Sequence, residues 1–139
     1  MRVLPASKIM SINMDYDSLQ KAGSSLGSGG VIVMDDTTCM VRTLECISRF
    51  YKHESCGQCT PCREGTGWVV RILGKILSGK AKQSDLVLLN EIVHNAEGRT
   101  ICAFGEAFAW PVQSFLEHFL PEFKYFVRYG KSMITGNSV

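Results

Sequence analysis

The sequence has neither a long hydrophobic run nor a dense run of charge of one sign. Its purely aliphatic stretches are short, such as residues 31–34 and 86–89, and charged residues already occur within the first twenty positions. A membrane-spanning helix needs about 20 consecutive apolar residues and a signal peptide needs an apolar core, so neither is predicted. The 15 basic and 13 acidic residues are interspersed along the 139 residues and give a formal net charge of only +2. We therefore expect no direct membrane insertion and no nucleic-acid partner.

Six cysteines remain to be explained in a chain with no signal for export. Reducing compartments keep thiols free, so clustered cysteines in such a chain are metal ligands or catalysts more often than structural disulfides. Their spacing must decide between these two uses.

The first 38 residues have the pattern of a mixed α and β fragment. Asp17 followed by Gln20 resembles a capping box and predicts a short helix over residues 18–22, with Gly23 as its end. A glycine-rich turn then leads into a predicted strand over residues 31–34. A strand and a short helix are too few to close a core alone, so this segment must pack on the rest of the chain or on a partner.

From residue 39 onward, apolar residues recur with helical spacing. The first predicted helix places Phe50 on its buried face, and the second begins with Thr60 as N-cap and carries Trp68 on its buried stripe. Pro111 and Pro121 predict the starts of a fourth and a fifth helix. We therefore predict a mostly α fold, with a small helical bundle over residues 39–130 and a disordered tail over residues 131–139.

Four of the cysteines have the spacing of a metal site. Three lie within seven residues and the fourth lies far downstream: Cys56, Cys59, Cys62 and Cys102. Many four-cysteine iron-sulfur sites are built this way, because a compact loop wraps three corners of the cluster and a distant segment supplies the last ligand. Pro61 suits the first turn of a helix, whose N-H groups and positive dipole end would face the negatively charged cluster. Arg63 can add further positive charge.

Two other uses of these thiols stay open at this point. Zinc usually draws two separated pairs of cysteines, although all-cysteine zinc sites tolerate varied loops. A thioredoxin-like redox motif needs a βαβ setting and has no role for a third cysteine at the same spacing. The other two cysteines, Cys39 and Cys46, lie among apolar neighbours on the first predicted helix, so we expect both to be small buried hydrophobic residues.

The cysteine segments resemble those of a known family. Residues 53–65 are very similar to the cluster segment of the NADH-binding subunit of respiratory complex I, and residues 100–103 and 109–114 are similar to its later segment. Residues 14–17 and 29–35 match upstream, so the resemblance covers nearly the whole chain. Related subunits of NAD-reducing hydrogenases and formate dehydrogenases share these motifs.

The resemblance implies a place in an electron-transfer chain. In that family the subunit takes a hydride from NADH onto FMN and passes electrons singly to a [4Fe-4S] cluster. The cluster is held by the cysteines that match Cys56, Cys59, Cys62 and Cys102, and it relays electrons towards quinone. The implied partners are a thioredoxin-like [2Fe-2S] subunit and a large multi-cluster subunit. The implied location is the cytoplasm or the mitochondrial matrix, peripheral to the inner membrane.

The sequence departs from this family in one respect, because the larger N-terminal FMN and NADH domain is absent. FMN and NAD would thus be cofactors of the parent subunit only. The resemblance implies that residues 1–38 are the end of a ubiquitin-like (β-grasp) domain and residues 39–130 the helical cluster domain. We expect a C-terminal fragment of an NADH dehydrogenase subunit that is not catalytic alone. The alternative is a module that docks subunits around a structural iron-sulfur or four-cysteine zinc site.

Overall fold

The computed structural model describes residues 2–136, and the regular structure in this part of the chain is helical. The helices are α1 (Ala6–Ile9), α2 (Tyr16–Lys21), α3 (Met40–Glu54), α4 (Thr60–Leu77), α5 (Gln83–Ala96) and α6 (Phe104–Tyr129). The predicted mostly α fold is confirmed. None of the helices formed by residues 2–136 combines the length and the apolar character that a membrane-spanning segment needs.

Helices α3 to α6 pack together as the predicted bundle. Helix α4 contacts the other three, and α6 contacts both α3 and α5. Each helix turns an apolar stripe inward, and the side chains with no exposed surface include Leu44, Leu73, Leu89, Phe115 and Phe123. Fully burying one such side chain contributes about 1.5–3 kcal/mol of hydrophobic stabilisation. The bundle core is therefore what holds the connecting loops in place.

A buried carboxylate on α6 caps the N-terminus of α3. Cys39, the N-cap residue of α3, makes no side-chain capping hydrogen bond. Instead, Oε2 of Glu122 accepts a hydrogen bond of 3.1 Å from the N-H of Met40. Burial raises the pKa of the Glu122 carboxyl group, while this hydrogen bond acts in the opposite direction. Glu122 thus joins the far end of α6 to the start of α3.

An ion pair fixes the start of α5 against α4. Nζ of Lys75 lies 2.8 Å from both carboxylate oxygens of Asp85, and Oδ2 also accepts a 2.6 Å hydrogen bond from the N-H of Lys82, the N-cap of α5. The hydrogen bonds from Lys75 and from Lys82 hold the pKa of the Asp85 carboxyl group below its usual value. A charged carboxylate in this first turn also interacts favourably with the helix dipole.

The boundaries of two helices differ from those predicted. Helix α4 is capped one residue earlier than predicted, because the carbonyl of Cys59 already accepts a 2.8 Å hydrogen bond from the N-H of Arg63. Helix α6 begins well before Pro111, and both of its prolines lie inside it. Its backbone leaves the helical region at Phe119 (φ −123°, ψ 19°), two residues before Pro121. A second helical segment follows this kink with Pro121 in its first turn, as predicted, and α6 includes both segments.

Two aromatic residues predicted to be buried are exposed. Phe50 is 59% exposed and Trp68 is 46% exposed. At 3.6 residues per turn, Phe50 lies about 200° around α3 from the buried Ser48, and Trp68 lies about 90° from the centre of the buried stripe of α4. The apolar character of a residue does not show which edge of the apolar stripe the neighbouring helices cover.

The predicted strand is wrong. Residues 31–34 pair with no other strand, and no strand forms anywhere in residues 2–136. Val31, Ile32 and Val33 are 67%, 65% and 89% exposed. A strand is held by hydrogen bonds to a neighbouring strand, and a pattern of apolar residues cannot supply that neighbour. The tail of a β-grasp domain is therefore not seen.

The short helix and the tail also differ in detail from the predictions. Helix α2 forms where a helix was predicted and Gly23 (φ 81°) follows its C-cap Ala22, but its N-cap is Asp15, whose Oδ1 accepts a 2.7 Å hydrogen bond from the N-H of Ser18. Ser132, in the predicted tail, is buried. Residues 137–139 of that tail lie outside the described residues.

Candidate metal centre

The four candidate ligands lie on two connections at one end of the bundle. Cys56 lies between α3 and α4, Cys59 is the N-cap of α4, and Cys62 lies in the first turn of α4. Cys102 lies between α5 and α6. Cys62 is buried and Cys59 half-buried, whereas Cys56 and Cys102 are exposed. None of these thiols is in a disulfide.

The two cysteine connections touch each other. The N-H of Ile101 donates a hydrogen bond of 3.4 Å to Sγ of Cys59, across 42 positions of sequence. Since Ile101 directly precedes Cys102, this contact brings the backbone that carries the fourth cysteine up to the thiols of the α3–α4 connection. An N-H donor to sulfur is also one of the groups that tune an iron-sulfur cluster.

Ser55 and Arg63 close the α3–α4 connection onto the first turn of α4. Oγ of Ser55 lies 3.2 Å from Sγ of Cys62 and accepts a 3.3 Å hydrogen bond from the N-H of Gly57. The chain turns at Gly57 (φ 76°), a conformation that side chains other than glycine rarely adopt. The Arg63 guanidinium donates to the Gly57 carbonyl at 2.9 Å and to Oγ1 of Thr60 at 3.4 Å. Positive charge is therefore held beside the cysteine loop.

The electrostatic setting of the loop favours a negatively charged group. The first turn of α4 contains no acidic residue and makes no side-chain capping bond to Cys59. The N-H groups of Thr60 and Cys62 and the positive end of the helix dipole therefore remain available to an anion. Pro61 has no N-H, and the N-H of Arg63 is bonded to the carbonyl of Cys59. Glu64 lies nearby, but its Oε1 is engaged by Nε of Arg63 at 3.2 Å.

The second connection, between α5 and α6, is held by a hydrogen bond to one of its own carbonyls and by a hydrogen bond to α6. Oγ1 of Thr100 donates a 2.8 Å hydrogen bond to the carbonyl of Cys102, and Oε1 of Glu106 accepts a 3.0 Å bond from the N-H of Gly98. Ile101 is 82% exposed. The side chain of Ile101 therefore lies in solvent and does not shield Cys102 from water, while its backbone N-H faces Cys59.

A pair of aromatic rings lies between α3 and the connection from α5 to α6. The rings of Tyr51 on α3 and Phe104 at the start of α6 meet edge to face with their centroids 5.5 Å apart. Both are half-buried, and burial raises the pKa of the Tyr51 hydroxyl group. The pair packs α3 against the start of α6, next to the segment that carries Cys102.

The sulfur atoms do not themselves converge. Among residues 2–136, no group of three or more His, Cys, Asp or Glu side chains is close enough to hold a metal ion. The structure thus brings the two cysteine segments into contact without placing three sulfurs around one point. The donor set nevertheless fits a [4Fe-4S] cluster, because four free thiols lie on touching segments beside a helix N-terminus, with an N-H donor to one sulfur.

The two remaining cysteines lie elsewhere. Cys39 is 5% exposed, as expected, but it is the N-cap of α3 and not part of the helix. Cys46 is exposed, so the prediction that it is buried is wrong. It lies about 200° around α3 from the fully buried Leu44 and therefore on the outer face.

Ser55, Thr100 and Gly105 are site residues that the sequence pattern did not reveal. Ser55 directly precedes Cys56 and so could have been noticed by position. A Cβ atom added at Gly105 would overlap the side chain of Thr100, so these two residues are in contact in space, and spacing gives no signal for such a contact.

Comparison with known proteins adds an independent result. Residues 42–125 match the family model described as the NADH-ubiquinone oxidoreductase-F iron-sulfur binding region, a span that includes all four cysteines. The F subunit of NADH-quinone oxidoreductase in Rickettsia bellii (strain OSU 85-389) is 52% identical over 120 residues, which are 86% of this chain and 29% of that protein. An F subunit of the same enzyme in Rhizobium meliloti (strain 1021) is 47% identical over 119 residues, which are 86% of this chain and 27% of that protein.

Solved structures give a consistent picture. A NAD⁺-reducing [NiFe]-hydrogenase in the H₂-reduced state matches with a TM-score of 0.66 and 31% sequence identity, over 72% of this chain and 17% of that one. This chain therefore spans less than a third of the length of the proteins it matches.

Proposed function

Because this chain belongs to the family of NADH-ubiquinone oxidoreductase-F iron-sulfur binding regions, we propose that it holds one [4Fe-4S] cluster and relays single electrons. The proposed ligands are Cys56, Cys59, Cys62 and Cys102. The single observation that carries the ligand assignment is the hydrogen bond from the Ile101 N-H to Sγ of Cys59, which places the Cys102 segment against the other cysteines.

Two of the proposed ligands have structural supports of their own. Cys62 is fixed by its place on α4 and by Ser55 at 3.2 Å from its sulfur. Cys59 receives the N-H of Ile101, and such hydrogen bonds offset negative charge on sulfur. When bound, the cluster would supply reversible one-electron transfer at a potential set by these hydrogen bonds, by nearby charge and by solvent exposure.

The exposure of the site suits the transfer of electrons to another protein. Cys56 and Cys102 are exposed, so one side of the site lies at the molecular surface, while Cys62 and the half-buried Tyr51 close the other side. An electron-transfer partner can approach such a surface closely without entering a cleft. This arrangement supports an electron exchange site more than a site for a small-molecule substrate.

The role of the whole protein is proposed on the same basis. A parent subunit would pass electrons from NADH through FMN to this cluster and onwards to quinone, with FMN and NAD bound outside this chain. We propose a thioredoxin-like [2Fe-2S] subunit and a large multi-cluster subunit as its partners. The complex would place the chain on the cytoplasmic or matrix side, peripheral to the inner membrane.

A docking module with a structural metal site is the second candidate. The exposed side chains of residues 31–33 favour it, because contiguous apolar surface often marks a protein-protein contact. In that case the metal would hold the two connections together without changing its oxidation state.

Reversible reduction distinguishes the two candidates. The full chain, reconstituted anaerobically with iron and sulfide, should take up about one electron per chain and lose part of its visible absorption. An electron paramagnetic resonance signal should appear on reduction and vanish on reoxidation, through repeated cycles. The same chain loaded with zinc is the control, since zinc has no redox chemistry in proteins. A cluster that cannot be reduced, or that is lost in the first cycle, would contradict the relay function.

A further inference from the structure

The carbonyl group of Cys102 is held from two sides. It accepts a 2.8 Å hydrogen bond from Oγ1 of Thr100 and a 3.4 Å bond from the N-H of Gly105. The side chain of Cys102 is exposed and so gains little fixation from packing. The position of the Cys102 backbone therefore depends on these two hydrogen bonds, together with the bond from Ile101 to Cys59.

The Thr100 side chain lies directly on Gly105. A Cβ atom added at Gly105 would overlap Oγ1 of Thr100 and would lie 2.8 Å from its Cγ2 and 3.0 Å from its Cβ. Three atoms of one side chain thus occupy the space that any other residue at position 105 would need. Gly105 is buried in the first turn of α6, and its φ is not positive, so the need for glycine here comes from contact and not from backbone conformation.

We propose that Thr100 and Gly105 act together as a positioning pair that sets Cys102 against the cysteines of the α3–α4 connection. This inference rests on the proposed function, because it takes Cys102 as the fourth cluster ligand. The missing side chain of Gly105 lets the Thr100 hydroxyl reach the Cys102 carbonyl, and the N-H of Gly105 holds the same carbonyl from α6. Neither residue is a proposed ligand, so both would act on the site through the backbone of Cys102.

Gly105→Ala tests the pair. The added methyl group should displace Thr100, free the Cys102 carbonyl and release the backbone of residues 101–103. In the metal-free full chain, we expect hydrogen exchange at the amides of residues 101 and 105, whose N-H groups are hydrogen-bonded, to become about tenfold faster or more, while the core of α4 stays protected. In the reconstituted chain, iron content should fall from about four per chain to about three or fewer.

A second substitution should reverse the effect. Thr100→Ala removes Oγ1 and Cγ2, the two atoms nearest to the new methyl group, so Gly105→Ala combined with Thr100→Ala should regain iron compared with Gly105→Ala alone. Thr100→Ala by itself should retain the cluster and accelerate exchange at the amides of residues 101 and 105 only moderately. The matched control is Gly74→Ala on α4, where an added Cβ meets nothing within 4 Å. It should change neither exchange at the amides of residues 101 and 105 nor iron content.

The outcomes separate this inference from the proposed function. If the native chain binds no [4Fe-4S] cluster, the proposed function fails, and exchange in the metal-free chain still decides whether the pair fixes Cys102. If the native chain binds the cluster and Gly105→Ala has native exchange and native iron content, the pair has no positioning role. If Gly105→Ala does not fold, unchanged exchange in Thr100→Ala would overturn the inference by itself.

Discussion

Replacing Cys102 with alanine is expected to lower the iron content of the reconstituted chain from about four per chain to about three or to none. Cys102 is exposed and contributes no core packing, so its loss should leave the bundle intact. A cluster with three protein ligands has one labile iron. Iron analysis and electron paramagnetic resonance of the reduced sample measure the effect directly.

The two remaining cysteines provide matched controls for Cys102→Ala. Cys46→Ala changes an exposed thiol on α3 and should leave iron content and stability unchanged. Cys39→Ala changes a thiol that is 5% exposed and should keep a full cluster with a modest loss of stability. The ligand assignment is wrong if the cluster survives in Cys102→Ala and disappears in either control.

Phe115→Ala should have the largest effect on stability. Phe115 is 0% exposed in the middle of α6, and its ring lies 5.7 Å from that of Phe119 at the kink. Truncating a fully buried phenylalanine removes apolar contact and leaves a cavity, which costs about 3–5 kcal/mol. We expect the free energy of unfolding, measured by urea denaturation, to fall by that amount.

Phe50→Ala is the control for Phe115→Ala, since Phe50 has the same side chain but is 59% exposed. Substitution at such a surface position changes the free energy of unfolding by about 0.5 kcal/mol or less. Equal losses in the two variants would show that the bundle does not have the core described above.

The sequence predicted the bundle because helical periodicity is a local property. Apolar residues three and four apart show which stretches form helices, and glycine and proline show roughly where they end. The strand over residues 31–34 failed because a strand depends on a partner that the local pattern does not contain. The start of α6 was missed because Pro111 suits a first turn but is also tolerated inside a helix that accepts a local distortion.

The sequence indicated which cysteines form the candidate site, but it did not indicate which other residues hold them in place. The spacing of Cys56, Cys59 and Cys62 favoured an iron-sulfur loop over a zinc site or a redox motif, and Cys102 was predicted as the fourth ligand because it lies in a separate segment. The contact of Thr100 with Gly105 depends on how α5 and α6 are joined in space, so no spacing rule reveals it. The exposure of Cys46 likewise depends on which side of α3 the other helices cover.

Metal and sulfide analysis of the anaerobically reconstituted full chain, together with its visible spectrum, tests the cluster directly. About four irons and about four sulfides per chain in a brown protein are expected, because four thiolates suit a [4Fe-4S] cube. Stoichiometric zinc in a colourless protein, with no sulfide and no visible absorption band, would contradict the proposed electron-transfer function.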